Sequence, residues 1–308
     1  MHALSAVELR VSIDVGCYRH SVAVGLSDGQ LLAEFEIPHN QAGFDEFFAR
    51  IGAYERQYRC AVAVAMEGYN GWGRPLDQLI LKQNYQLFNI NNLKLARYKE
   101  IFPGAAKTDA IDARKGLELF MLSAHLPLAK NSLQVIVPAP EVNDKLKRLS
   151  RRRRRLVTER VTVKSGMHSD LQAVCPELLA ITQDIDQVWY LNLLTSVSEL
   201  PKLARKQAGS LKQIRGVGTV YLNKISAWQK KAHFSAEVDW VGPMILEDAR
   251  RLIELGNAIK SLDEQMATLS QQSDIARCLL SLPGFGNTSC AELAGEIGTV
   301  SRFDQESS

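Results

Sequence analysis

No Cys-x-x-Cys pair occurs anywhere in this 308-residue sequence, and its five cysteines (Cys17, Cys60, Cys175, Cys278 and Cys290) are odd in number and scattered. That distribution argues against a disulfide framework and against a structural zinc site, and it fits the reduced thiols of a cytoplasmic protein. Long apolar runs are missing as well. No segment approaches the ~18 uninterrupted apolar residues of a membrane span. The stretch from Met1 to Arg10 lacks the charged start and long apolar run of a signal peptide. A strong excess of one charge is also absent: 37 basic against 34 acidic residues leave a net +3, so charge informs only through where it is placed. Hydrophobic residues make up 46% and charged residues 23%, enough for a real core. The length allows about two domains at roughly 100–200 residues each.

The first part of the chain alternates strand and helix patterns. Residues 11–16, 21–27 and 31–38 read as three short strands, separated by Cys17-Tyr18-Arg19-His20 and by the turn Ser27-Asp28-Gly29-Gln30. This predicts an antiparallel meander. Gly43 to Gln57 has helical spacing, with Phe44, Phe47, Phe48 and Ile51 on one side. Cys60 to Met66 is an apolar run of the kind expected for a strand buried on both faces. A second helix is expected to start near Pro75, a residue that a first turn tolerates, and to carry Leu76, Leu79, Ile80 and Leu81. Tyr85 to Ile90 is a further strand and Asp109 to Ala124 a helix. The resulting order, β-β-β-α-β-α-β-α, is a three-stranded meander extended by α/β units. Ribonuclease-H-like nucleases and actin-like ATPases share it.

Four carboxylates stand out in that order. Asp14 lies in Val11-Ser12-Ile13-Asp14-Val15-Gly16, and Glu67 closes Ala61-Val62-Ala63-Val64-Ala65-Met66-Glu67. Asp109 and Asp112 stand three apart in Lys107-Thr108-Asp109-Ala110-Ile111-Asp112-Ala113-Arg114, on one face if that stretch is helical. Singly, each has an ordinary explanation: a turn residue, a solvent-facing strand end, a helix N-cap or a first-turn acid. Together they would repel strongly without a cation. Hard cations such as Mg²⁺ take oxygen ligands and complete their shell with water and substrate phosphates. Metal held beside a phosphodiester is the reading consistent with that set.

Beyond Pro138 and Pro140 the character changes. Val142, Leu149, Leu156 and Val163 repeat every seven residues, with Leu146 and Met167 at complementary positions and Arg153 and Arg160 interrupting that second row. A cleaner run comprises Ile245, Leu252, Leu255, Ile259, Leu262, Met266 and Leu269. These steps predict a coiled-coil seam, against the plainer alternative of two amphipathic helices inside one helical domain. The seam would close within one chain or between copies, the latter making a homo-oligomer.

Between Lys145 and Arg155, eight of eleven residues are basic: Lys145, Lys147, Arg148, Arg151, Arg152, Arg153, Arg154 and Arg155. A helix spreads five consecutive arginines around its whole circumference, so a solvated charged face is a weaker explanation here than a polyanionic partner, nucleic acid before an acidic protein. Ile214-Arg215-Gly216-Val217-Gly218 and Leu282-Pro283-Gly284-Phe285-Gly286 share one layout, each leading into an apolar-periodic helix. This resembles a helix-hairpin-helix motif, whose glycines let backbone amides approach a phosphate. Glycine also simply ends helices, so it is the duplication that carries the reading.

Ser12-Ile13-Asp14-Val15-Gly16, Met66-Glu67-Gly68-Tyr69 and Lys107-Thr108-Asp109-Ala110-Ile111-Asp112-Ala113-Arg114 together resemble the DEDD transposases of bacterial insertion sequences. That family includes the Piv-type DNA invertases and the recombinases guided by a structured bridge RNA. Leu280 to Gly286 and Gly295 to Phe303 resemble the opening of its second conserved domain. The Lys-Thr-Asp-x-x-Asp-Ala element is the most diagnostic piece.

The resemblance implies a ribonuclease-H-like, resolvase-like catalytic domain over residues 1–130, binding Mg²⁺ or Mn²⁺ through Asp14, Glu67, Asp109 and Asp112. It implies a basic helical and coiled-coil region over 141–275 and the start of the second transposase domain over 276–308. DNA is the implied substrate, processed by metal-dependent cleavage and strand transfer, with a structured guide RNA as a further partner and no membrane. In the family a serine nucleophile lies downstream of the segment where this sequence reaches Ser307-Ser308. A C-terminally truncated member is therefore the expectation, with a non-catalytic nucleic-acid-binding regulator as the alternative. An actin-like ATPase would need a second phosphate-binding Asp-x-Gly turn late in the chain, and none appears there in a strand context.

Overall fold

The computed structural model describes residues 7–68, 73–101, 109–123 and 132–303, at positions 109 and 110 through the backbone alone. The chain divides into two compact units. One spans Met1–Pro138 and takes in Val300–Ser308; the other spans Ala139–Thr299.

The first unit holds a six-stranded mixed sheet. Its strands are β1 (Leu9–Val15), β2 (Arg19–Leu26), β3 (Leu31–Pro38), β4 (Val62–Glu67), β5 (Gln86–Ile90) and β6 (Leu133–Val135), in the spatial order β3-β2-β1-β4-β5-β6. The meander is antiparallel as its turns predict, β4 lies parallel to the free side of β1, β5 is parallel to β4, and β6 is antiparallel at the edge. This α/β order is compatible with a ribonuclease-H-like domain. Four helices accompany the sheet among the described residues: α1 (Gln41–Tyr58), α2 (Arg74–Lys82), α3 (Asn92–Glu100) and α4 (Asp109–Ser123).

The two faces of the sheet differ in side-chain size, and that decides how closely helices approach. Leu9, Val11, Ile13, Val22, Val24, Val62, Val64 and Met66 form one face, packed against Phe44, Phe47 and Ile51 of α1 and Leu76 and Ile80 of α2. α1 begins where the Asn40 side chain accepts a hydrogen bond from the Gly43 amide at 3.0 Å, an ordinary N-cap. Strand alternation turns Ser12, Ala23, Ala63 and Ala65 to the other face, all buried. These small side chains form a floor on which α4 lies through Ala113, Leu117, Leu119 and Phe120. The approach is closest at Gly116, where a Cβ would collide with Ser12 Oγ.

In the second unit the elements are α5 (Glu141–Val174), α6 (Pro176–Leu179), α7 (Val188–Thr195), α8 (Ala208–Lys212), α9 (Thr219–Gln229), α10 (Val238–Ser270), α11 (Asp274–Leu280) and α12 (Asn287–Ile297). The apolar rows of α5 and α10 face each other: Leu156 packs with Leu255, Ile259 and Leu262, and Leu146 with Met266. Arg153 pairs with Asp263 and Glu159 with Arg251, so the two helices run antiparallel. Ile245, Leu252, Leu255, Ile259 and Met266 are at most 6% exposed. Of the two arrangements open to the seam, closure within one chain is the one seen between α5 and α10. Burying an apolar row against a helix of the same chain removes it from water without the entropy loss of association.

The two arginines that interrupt the row on α5 are polar clamps. Arg153 meets Asp263 at 2.6 Å and Arg160 meets Asp186 at 2.8 Å. Near the start of α5, buried Asn143 donates to the Gly298 carbonyl at 2.7 Å and accepts from Ser273 Oγ at 2.7 Å. Ser273 in turn caps α11 by accepting from the Ala276 amide. α12 crosses α5 where Gly295 leaves no room for a Cβ against the Leu146–Lys147 backbone. No helix among the described residues is long and apolar enough to cross a membrane.

Candidate functional site

The carboxyl ends of β1 and β4 lie side by side. Their pairing runs from Leu9 with Val62 to Ile13 with Met66, so Asp14 and Glu67 are the next residues on two adjacent strands, whose paired parts lie about 4.8 Å apart. Alternation puts Asp14 on the face of Ser12 and Glu67 on the face of Ala65, the face that α4 covers. Across β1 on the other side, Asp14 pairs with buried Ser21 of β2. Asp14 is the penultimate residue of β1. Beyond Glu67 the chain turns at once through Gly68, whose φ of 72° lies in the left-handed region and explains glycine there.

α4 is fixed over these strand ends by contacts along its length. Asp112 lies one turn before Gly116 on the sheet-facing stripe, its side chain 16% exposed and 3.1 Å from Lys99 Nζ of α3. Arg114 donates to Glu34 of β3 in a two-pronged pair, Nε to Oε1 at 2.7 Å. That hydrogen bond holds the Glu34 carboxyl below its usual range. Arg10 of β1 donates to the Phe120 carbonyl at 3.0 Å, satisfying one of the orphan carbonyls at the end of α4.

These contacts place three acids at one end of the sheet, and carboxylate oxygens are the donors that a hard divalent cation takes. Among the described residues, no three His, Cys, Asp or Glu side chains converge as a group able to hold a metal ion. Asp109 begins α4 one turn ahead of Asp112 and Ala113, and its side chain lies outside the described residues, as do Lys107 and Thr108.

The basic run occupies the first half of α5 and is divided in its bonding. Arg151 forks onto Glu296 of α12 at 2.8 and 2.9 Å, Lys147 lies 3.7 Å from the same carboxylate, and Arg154 pairs with Glu292. Arg151, as its nearest donor, holds Glu296 below the usual carboxylate range. Arg153 faces α10, and Lys145 meets Glu141 at 2.8 Å on its own helix. Arg148, Arg152 and Arg155 are exposed and have no acidic partner among the described residues. Half of the basic run, Lys147, Arg151, Arg153 and Arg154, thus joins α5 to α10 or α12.

The two glycine turns have one backbone shape. Gly216 has φ 90° and Gly284 φ 88°. Each turn returns an amide to a carbonyl three residues back, Val217 to Ile214 at 3.0 Å and Phe285 to Leu282 at 3.3 Å. Gly218 and Gly286 then precede α9 and α12 in extended conformation. Their surroundings differ. A Cβ at Gly216 would press on Trp189, whereas around Gly284 there is open space and Leu282 and Phe285 are exposed.

Residues 11–176 match the family model of the IS110-group DEDD transposases, described as Transposase. That is more than half of the chain. The chain belongs to the IS110-type DEDD transposase family. No curated protein matches it. The matched span holds all four carboxylates and the whole basic run, and membership assigns a transposase or recombinase role with DNA as substrate.

Reading the sequence of this transposase missed the residues that aim α4: Arg10, Glu34, Lys99 and Gly116. A glycine inside a helix, immediately after Asp-Ala-Arg-Lys, was the available signal, since Gly there weakens a helix unless something needs the space. Arg10 inside an apolar strand was another, because a buried arginine needs acceptors.

Proposed function

We propose that Asp14, Glu67, Asp109 and Asp112 hold a divalent cation, Mg²⁺ or Mn²⁺, at the carboxyl ends of β1 and β4, and that DNA is cleaved and transferred there. The observation that carries this reading is the pairing of Ile13 with Met66, after which Asp14 and Glu67 follow on adjacent strands, on the face covered by the helix bearing the Asp-x-x-Asp pair. A bound hard cation would polarise the phosphodiester and stabilise the charge that develops on it. The protein's part is to fix the acids: Gly116 sets the depth of α4, Arg10 its far end and Arg114 its lateral position. In this reading the four carboxylates orient the phosphodiester for a hydroxyl nucleophile and do not themselves attack. Residues 1–130 act as the catalytic part. The basic face of α5 and the turns at Gly216-Val217-Gly218 and Gly284-Phe285-Gly286 bind nucleic acid backbone, that of DNA or of a structured guide RNA.

The test is strand cleavage of DNA carrying the ends of the element, with Mg²⁺ and with chelator, by the chain joined in cis to a serine-bearing second transposase domain and by the Asp14→Asn and Glu67→Gln variants of that protein. Cleavage should require the metal and be lost in both variants. Cleavage by Asp14→Asn at the unsubstituted rate would refute the assignment.

A further inference from the structure

We propose that Arg148, Arg152 and Arg155 form a phosphate-reading stripe on α5, while Lys147, Arg151, Arg153 and Arg154 act as interhelical ties with no part in nucleic-acid contact. This rests on the nucleic-acid reading above and divides the run that reading treats as one. Positions 148, 152 and 155 follow one another by four and three residues, so they lie on one helix face. All three are exposed and lack an acidic partner among the described residues. Their neighbours are drawn aside by Glu292 and Glu296 of α12 and by Asp263 of α10.

Like charges at these spacings repel, and an external anion relieves them. The stripe spans about 10.5 Å at 1.5 Å per residue. One strand of a duplex presents a phosphate about every 3.4 Å of helix axis, so the stripe spans about three phosphate intervals and each of the three guanidinium groups can meet a phosphate of its own. Arginine suits that contact because its planar fork binds phosphate oxygens in pairs.

The experiment measures affinity for a labelled DNA duplex, and separately for an RNA hairpin of equal length, against salt concentration. The proteins are the full chain, its R148Q/R152Q/R155Q variant and its R151Q/R153Q/R154Q variant, with thermal melts of each. The stripe variant should melt like the unsubstituted chain and lose about 2.7 from the magnitude of its log–log salt slope on duplex DNA, at 0.9 per phosphate. The tie variant should melt lower and, below its melt, keep the slope. A stripe variant whose slope is unchanged while the unsubstituted chain binds would overturn this division alone. Absence of binding by the unsubstituted chain to both probes would overturn the nucleic-acid reading beneath it. A slope change confined to one probe supports the stripe and identifies its polymer.

Discussion

Adding a single methyl group at Gly116 should disturb the helix that carries Asp112, and a second methyl-sized change should repair it. Two effects oppose each other in Gly116→Ala. Alanine favours a helix interior over glycine by about 1 kcal/mol. Its Cβ, however, would collide with Ser12 Oγ in a buried, close-packed layer, and overpacking of that kind costs about 1–3 kcal/mol. The net expectation is a loss of about 0–2 kcal/mol. Ser12→Ala deletes the oxygen, and the nearest remaining atoms, Ser12 Cβ and Ile90 Cδ1, stand at 3.5 Å, ordinary contact distance. The double variant should therefore keep the propensity gain and lose the collision, giving a coupling of about 1–3 kcal/mol between the two sites. Urea unfolding of the four proteins, with hydrogen exchange of the α4 amides to assign the change to the first unit, measures it. Effects that add to within about 0.5 kcal/mol would show that the close approach at Gly116 does not set the depth of α4.

Two further outcomes follow from buried polar groups. His20 is buried with its Nε2 2.7 Å from His39 Nδ1. Burial first, and the His39 charge second, lower its pKa to about 4. Because the folded value lies below the unfolded ~6.5, neutral His20 contributes stability that is present above pH ~6.5 and is lost as pH falls toward 4, about 3 kcal/mol in all. Denaturation midpoints between pH 7 and pH 4 should fall less in His20→Leu than in the unsubstituted chain, and an equal fall would contradict this. Asn143→Ala should cost about 2–3 kcal/mol, since it strands the Gly298 carbonyl and the Ser273 hydroxyl in a buried place. A change below about 0.5 kcal/mol in a melt of the second unit would mean that this polar point does not tie α5, α11 and α12.

The sequence was legible where one chemical pattern had one structural cause. Valine-rich, mostly apolar runs marked β1, β2 and β4, and the first charge after the run in β4 marked its strand end at Glu67. The heptads of α5 and α10 announced paired helices, yet an apolar row looks the same whether its partner lies in the same chain or another. α3 escaped notice because only Leu95 on it is buried, and β6 because three residues at a sheet edge have no period to read. The ion pairs of the arginine run were not legible for a similar reason. The acids that pair with Arg151, Arg153 and Arg154 lie more than a hundred residues away on other helices, where no local spacing rule reaches.

The acids at the ends of β1 and β4 are proposed to bind a divalent metal together with those on α4. Electron paramagnetic resonance of Mn²⁺ titrated into the full chain tests it without requiring turnover. The free-ion signal should diminish as Mn²⁺ is bound, recover when Mg²⁺ is added in competition, and remain undiminished in an Asp14→Asn/Glu67→Gln variant that melts like the unsubstituted chain. Equal Mn²⁺ binding by that folded variant would contradict the account.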